Sequence, residues 1–351
     1  MSEEIIQIPE NEVVLPSPEE KEEKRLGMRR AYSRCGFALF GVAAFMFALS
    51  LVLGLVLKNA DAAFTELYSK YLLYFNEALI ALALAVGVLT LVGTKKCAPT
   101  GERIGAGRFI KLMCICFAVG WVGNMIGAVL LLVWNAATGS QVTNQLTGII
   151  LNTEPIQMIL CTGILAPILE EYFFRKVLID RTHKYGELTS ILISAAFFGL
   201  FHQNFSQFFY AFGLGVIFGY VYCKTGSYLT VTLMHVVFNT VMGVIPGLLL
   251  PKTLEFAEKL ETVNMAGINE ILVLVSEYLL PVMLYLLYLL AIGAINIAGG
   301  IILLLRFKKS KLENACPELT AAEKRRASML NFGTVAGAAL LVALTVATLF
   351  I

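Results

Sequence analysis

The sequence predicts an all-α fold, a polytopic bundle of about eight to nine transmembrane helices, and three observations carry that reading. Of 351 residues, 58% are hydrophobic and only 15% charged. Mean hydropathy is +0.77, far above that of a water-soluble domain. The charges cluster between long apolar runs, most of which reach the roughly 20 residues that a helix needs to cross about 30 Å of hydrocarbon. A transmembrane barrel would alternate in and out over segments of about ten residues, and these runs are continuous and rich in Leu, Ala, Ile and Val.

The chain opens on a polar tail, residues 1–34. Its first 20 residues hold six glutamates and no Lys or Arg, and the next 14 turn basic (Lys21, Lys24, Arg25, Arg29, Arg30, Arg34). We expect a mobile acidic start and a basic membrane-edge segment. The first apolar run begins only near Cys35, so a cleavable secretory signal is not expected. Residues 35–351 form one membrane domain, with runs at about 35–57, 71–92, 109–136, 156–178, 190–205, 208–222, 229–250, 271–305 and 329–351. The run at 271–305 is long for one span and holds Pro281, which could mark a kink or a break. The runs at 190–205 and 208–222 are short, so their ends extend into neighbouring polar residues or line an enclosed cavity.

Loop charge orients the bundle, because short cytoplasmic loops are enriched in Lys and Arg. Basic residues crowd the N-terminal segment and the 93–108, 175–189 and 306–326 regions, and nine crossings put all four on one side. The 137–154 loop has no Lys or Arg, and the 251–270 loop sets Lys252 and Lys259 against four glutamates. The expectation is an integral protein of the cell membrane with its N-terminus in the cytoplasm. A net charge of +2 gives no support to a nucleic-acid partner. The seven cysteines are odd in number and scattered, neither a disulfide framework nor a paired zinc pattern, and Cys114 and Cys116 read as packing residues. Gly213, Gly215 and Gly219 lie inside an apolar run with no Lys-Ser/Thr pair after them, which favours close helix packing over a phosphate loop.

Ionisable residues inside spans are costly, at least about 2.5 kcal/mol each near the bilayer centre, and mark functional candidates. The fourth run reads APILEEYFFRK, on a helix that Pro155 starts. Glu171 and Arg175 are four apart and share a face, as an intrahelical ion pair. Glu170 points about 100° away from that face, lacks the partner, and is the candidate base. Two of the three histidines lie in apolar runs; His183 sits in a basic loop and reads as solvated. Ser194, Phe198 and His202 follow at four-residue spacing on one face, as do His235 and Asn239. Each pair alone is compatible with a hydrogen-bonded helix clamp. Together on three spans they point to chemistry.

These residues resemble the CAAX protease and bacteriocin-processing family (CPBP, also called ABI) of intramembrane endopeptidases. Its motifs, a double Glu followed by Arg, Phe-x-x-x-His and His-x-x-x-Asn/Asp, stand here as Glu170-Glu171-x-x-x-Arg175, Phe198-x-x-x-His202 and His235-x-x-x-Asn239. The resemblance covers about residues 150–250. Lys176 departs from it, since many members have Gly after the Arg. The resemblance implies hydrolysis of a peptide bond in a membrane-associated or lipidated substrate that reaches the site from the bilayer. It implies that Glu170 and His202 bind and deprotonate water, that His235 and Asn239 donate to the oxyanion, and that Glu171, Arg175 and Phe198 support them. No cofactor is obligatory in that scheme. The alternative is a metalloprotease with zinc held by Glu170, His202 and His235. Readings of another class are a proton-coupled transporter and a non-catalytic immunity protein.

Overall fold

The computed structural model describes residues 16–143, 148, 153–262, 268–306 and 312–350. Among the described residues there is helix and no strand. The helices are α1 (Pro18–Asn59), α2 (Ala62–Lys70), α3 (Leu72–Thr90), α4 (Ala106–Thr138), α5 (Pro155–Tyr185), α6 (Glu187–Phe201), α7 (Phe205–Thr225), α8 (Tyr228–Thr262), α9 (Ile268–Arg306), α10 (Ala321–Ser328) and α11 (Phe332–Ala347). Seven are long and apolar enough to cross a membrane, and the pair α10 and α11, bent by 63°, makes eight. Each of the nine apolar runs of the sequence finds a helix, and the chain is a polytopic helical bundle.

Helix ends follow local chemistry. Ser17 and Glu20 form a capping box at the start of α1, so the helix begins inside the polar tail and runs on through the first apolar run. The acidic first 15 residues lie outside the described residues. Pro155 opens α5 at a position whose N–H needs no partner. Gly139 and Gly226 close α4 and α7 with φ of 73° and 62°, a left-handed turn that glycine adopts without strain. Pro281 lies inside the continuous helix α9, so the long run at 271–305 is one helix.

Small residues let the helices approach. A Cβ on Gly123 or Gly127 of α4 would lie 2.4 Å from Tyr210 Cα or 2.2 Å from Ser206 O of α7, so these positions fix the α4–α7 crossing. Gly36 on α1 meets the backbone at Gly333 on α11 in the same way. The glycines of the 213–219 run pack on Val119, Ala195 and Ile191, as the packing reading expects. All seven cysteines are free, and Cys116 lies in the apolar core.

The basic segments gather at one end of the bundle. Cys97 N donates to Asp180 O at 2.7 Å, and Arg181 Nε to Thr94 Oγ1 at 2.5 Å. Lys24 pairs with Glu318 at 2.7 Å, and Lys224 with Glu187 at 2.5 Å. Tyr32 and Met28 of α1 are buried there against Cys316, Leu319 and Ala327. His183, expected to be solvated, is half-buried with Nδ1 3.1 Å from Ile179 O. In a Cys97→Ser background, single cysteines in the 93–108 and 306–326 loops should react with an impermeant thiol reagent from the cytoplasmic side. One in the 137–154 loop should react only from outside, and labelling of all three from one face would overturn this topology.

Candidate active site

The site is assembled by α5, the α6–α7 junction and α8. At its base lies Arg175, fully buried. Burying an unpaired guanidinium in apolar surroundings is prohibitive, so its partners come from three helices. Its Nε lies 2.9 Å from Glu171 Oε2, and Nη2 donates to Glu171 Oε1 at 3.3 Å. Nη1 donates to Ser194 Oγ on α6 at 3.2 Å, and Ser194 Oγ in turn donates to Phe174 O at 2.7 Å. The cation sits over the rings of Phe198 at 4.9 Å and Phe218 at 5.9 Å. The expected ion pair is present, and it is one edge of a larger network.

Glu171 does more than hold α5 in register. The same Oε1 that takes Arg175 lies 3.0 Å from His235 Nδ1 on α8. A carboxylate can only accept, so the His235 proton sits on Nδ1 and Nε2 is turned the other way. Nε2 lies 3.7 Å from Glu170 Oε2, on the cavity side. The ring is held edge-on to Phe198 at 5.8 Å and against Phe218 at 5.3 Å. Neighbouring residues on one helix thus present their carboxylates to the two nitrogens of one imidazole.

His202 is not inside a helix, as the sequence suggests, but at the C-terminal end of α6. At 15 residues α6 rises about 22 Å, less than the hydrocarbon thickness, so the chain turns back within the bundle. Gln203, with φ of 46°, and the N-cap Asn204 make that turn. His202 Nδ1 lies 2.9 Å from Phe198 O, which can only accept. Nδ1 therefore carries the proton, and Nε2 keeps a lone pair. Phe198, edge-on to His202 at 5.0 Å, braces both histidines and the Arg175 cation.

Asn239 donates from Nδ2 to Thr162 O on α5 at 2.9 Å, so it clamps α8 to α5 and keeps a second amide hydrogen. The accepting carbonyl lies in a wide helical turn. Residues 158–165, 172–179 and 240–244 have i→i+5 bonding, and such turns displace backbone groups from the regular ladder and occur often at functional sites. Glu170 and Glu171 sit between the first two of them.

Glu170, His202, His235 and Asn239 all line one cavity of about 370 Å³. The sequence reading missed the contribution of α3 and α4: Glu77 and Asn124 line the same cavity. The signal for Glu77 was present, an acid within the apolar run at 71–92, but no second polar group lies four residues away on that run. Among the described residues, no three His, Cys, Asp or Glu side chains converge on a point that would hold a metal ion. Glu170, His202 and His235 line one cavity but are not gathered as a zinc site.

Glu171→Gln keeps an acceptor for His235 but removes the charge facing Arg175. It should lower unfolding stability by about 3–5 kcal/mol, as loss of one partner of a buried pair does, read as melting temperature in detergent. An unchanged melting temperature would mean that Arg175 is balanced by other groups.

No curated protein and no solved structure matches the chain. Residues 152–241, which carry Glu170, Glu171, Arg175, Phe198, His202, His235 and Asn239, match the family model described as type II CAAX prenyl endopeptidase Rce1-like, in keeping with the resemblance to the CPBP family.

Proposed function

We propose that this protein is an intramembrane endopeptidase in which Glu170 activates the attacking water. One observation carries the reading: Glu170 Oε2 lies 3.7 Å from His235 Nε2 in a cavity that His202 and Asn239 also line. Hydrolysis of a peptide bond needs an activated water, a donor for the oxyanion and a proton for the leaving amine, and the four residues divide these tasks.

Water is held between Glu170 and the free Nε2 of His202. Glu170 takes its proton as the oxygen attacks the substrate carbonyl. The oxyanion that forms accepts from the second amide hydrogen of Asn239 and from His235 Nε2. Since His235 Nδ1 already donates to Glu171, donation from Nε2 requires the doubly protonated ring. Its charge is compensated locally: Glu170 and Glu171 are two negative charges against Arg175, and imidazolium balances the second. Glu170 then passes its proton to the amide nitrogen, the C–N bond breaks, and the amine leaves. The substrate is a peptide or protein that enters from the bilayer, and the basic end of the bundle faces the cytoplasm of the cell membrane.

Glu170→Gln should lower cleavage of a membrane-reconstituted peptide by about 100- to 10,000-fold, the range for a positioned acid or base, while the melting temperature holds. His202→Ala should be equally damaging. Asn239→Ala should leave a weak rate, down by about 100- to 1000-fold, with some loss of stability because Thr162 O loses its donor. A purified Glu170→Gln protein with full activity would sink the assignment.

Exhaustive chelation tests the competing zinc mechanism. Rate and melting temperature should both survive it. A metal shared by α5, α6 and α8 would tie those helices together, so its removal would lower both, and recovery on adding zinc would reject a glutamate acting alone.

A further inference from the structure

Among the described residues lining the cavity, Glu77 is the carboxylate that hydrolysis, as proposed above, leaves without a task. It lies on α3, outside the segment that matches the family model, and shares the cavity with Glu170. Its Oε2 is buried and has no hydrogen-bond partner among the described residues. A carboxylate in apolar surroundings is unfavourable unless a cation or donor meets it. Among the described residues none of those lining the cavity is Lys or Arg, and the His235 ring is already faced by Glu171 and Glu170. The 137–154 segment, which leads to the cavity residue Thr153, has no Lys or Arg in its sequence either. Arg175 is fully buried behind Glu171 and committed to it.

This charge pattern has a consequence for what the cavity accepts. Removal of a C-terminal tripeptide brings a free α-carboxylate close to the scissile bond. Here that carboxylate would meet Glu77 with no Lys or Arg among the described lining residues to receive it, a like-charge contact that disfavours binding. An ammonium or guanidinium group would instead complete the missing half of a buried pair.

We propose that Glu77 is a specificity-determining residue that accepts a cationic side chain of the substrate, so that the site selects peptide bonds close to a Lys or Arg and rejects a free C-terminal carboxylate. The inference rests on the hydrolytic reading for its cleavage consequence, and its binding consequence stands independently. The Lys or Arg side chain brings the positive charge into the cavity along an apolar stem.

The test uses the full chain in phosphatidylcholine vesicles and a set of N-dodecanoyl decapeptides, apolar and C-terminally amidated. A single Lys, norleucine or Glu is scanned along each, and one further norleucine peptide carries a free C-terminal carboxylate. Two quantities are read: kcat/KM on the wild type, and the association constant (1/Kd) of the same peptides on Glu170→Gln. At one or more positions Lys should exceed norleucine by at least about tenfold in both, the lower end of what a close desolvated charge pair contributes. Glu and the free carboxylate should fall below norleucine. Glu77→Gln should bring the Lys-to-norleucine ratio to about one, and Glu77→Lys should reverse it. These are ratios within one variant, so a general loss of rate or fold does not imitate them. A ratio near one in the wild type, or a Lys preference that survives Glu77→Gln, overturns the proposal. Cleavage of all peptides alike would leave the hydrolytic reading standing without it. Glu77-dependent binding with no hydrolysis would do the reverse.

Discussion

A guanidinium fully buried in an apolar helical bundle is the constraint on which the site is built. Arg175 has to be neutralised and hydrogen-bonded where water is absent. Glu171 supplies the charge, Ser194 an acceptor, and Phe198 and Phe218 the faces of their rings. Those groups come from α5, α6 and α7, so satisfying one cation fixes the mutual position of three helices. Glu171 has a lone pair to spare, and His235 of α8 takes it. The imidazole is thereby oriented by a residue whose first duty is structural, and its other nitrogen is aimed at Glu170.

The wide turns of α5 and α8 connect this network to the backbone. In a regular helix nearly every carbonyl is occupied by the amide four residues on, and a polar side chain has little main chain to hold. Thr162 and Phe174 both fall in stretches of i→i+5 bonding, and their carbonyls accept from Asn239 and Ser194 respectively. The side chains that hold the site together thus dock on carbonyls within the wide turns. Those turns are part of the design of the site.

How much of this was legible in the sequence depends on range. Pairs four residues apart on one helix were legible, because the helical period alone puts Glu171 with Arg175, Phe198 with His202 and His235 with Asn239. The bundle was legible for the same reason, since run length and loop charge are local quantities. The end of α6 at Phe201 was not, because the apolar run continues past it and only the tertiary setting makes the chain turn there. The bond between Glu171 and His235 spans 64 residues, and no pattern within one helix announces it. Glu77 was visible as an acid in an apolar run, yet without a partner at helical spacing nothing tied it to the residues of the other spans.

That last gap separates two kinds of information in the chain. The residues proposed for bond cleavage all lie in 152–241, the segment that matches the family model. The cavity around them is completed by Leu73 and Glu77 of α3 and by Gly120 and Asn124 of α4, all outside it. Gly123 and Gly127 bring α4 against α7, and Gly87 brings α3 against Phe173, by admitting close contact where a side chain would not fit. The proposed chemistry and the proposed selection therefore lie on different helices. A shared catalytic segment need not imply a shared substrate, because part of the cavity wall lies on α3 and α4, outside that segment. Here α3 contributes a carboxylate, and the proposed selectivity rests on its sign.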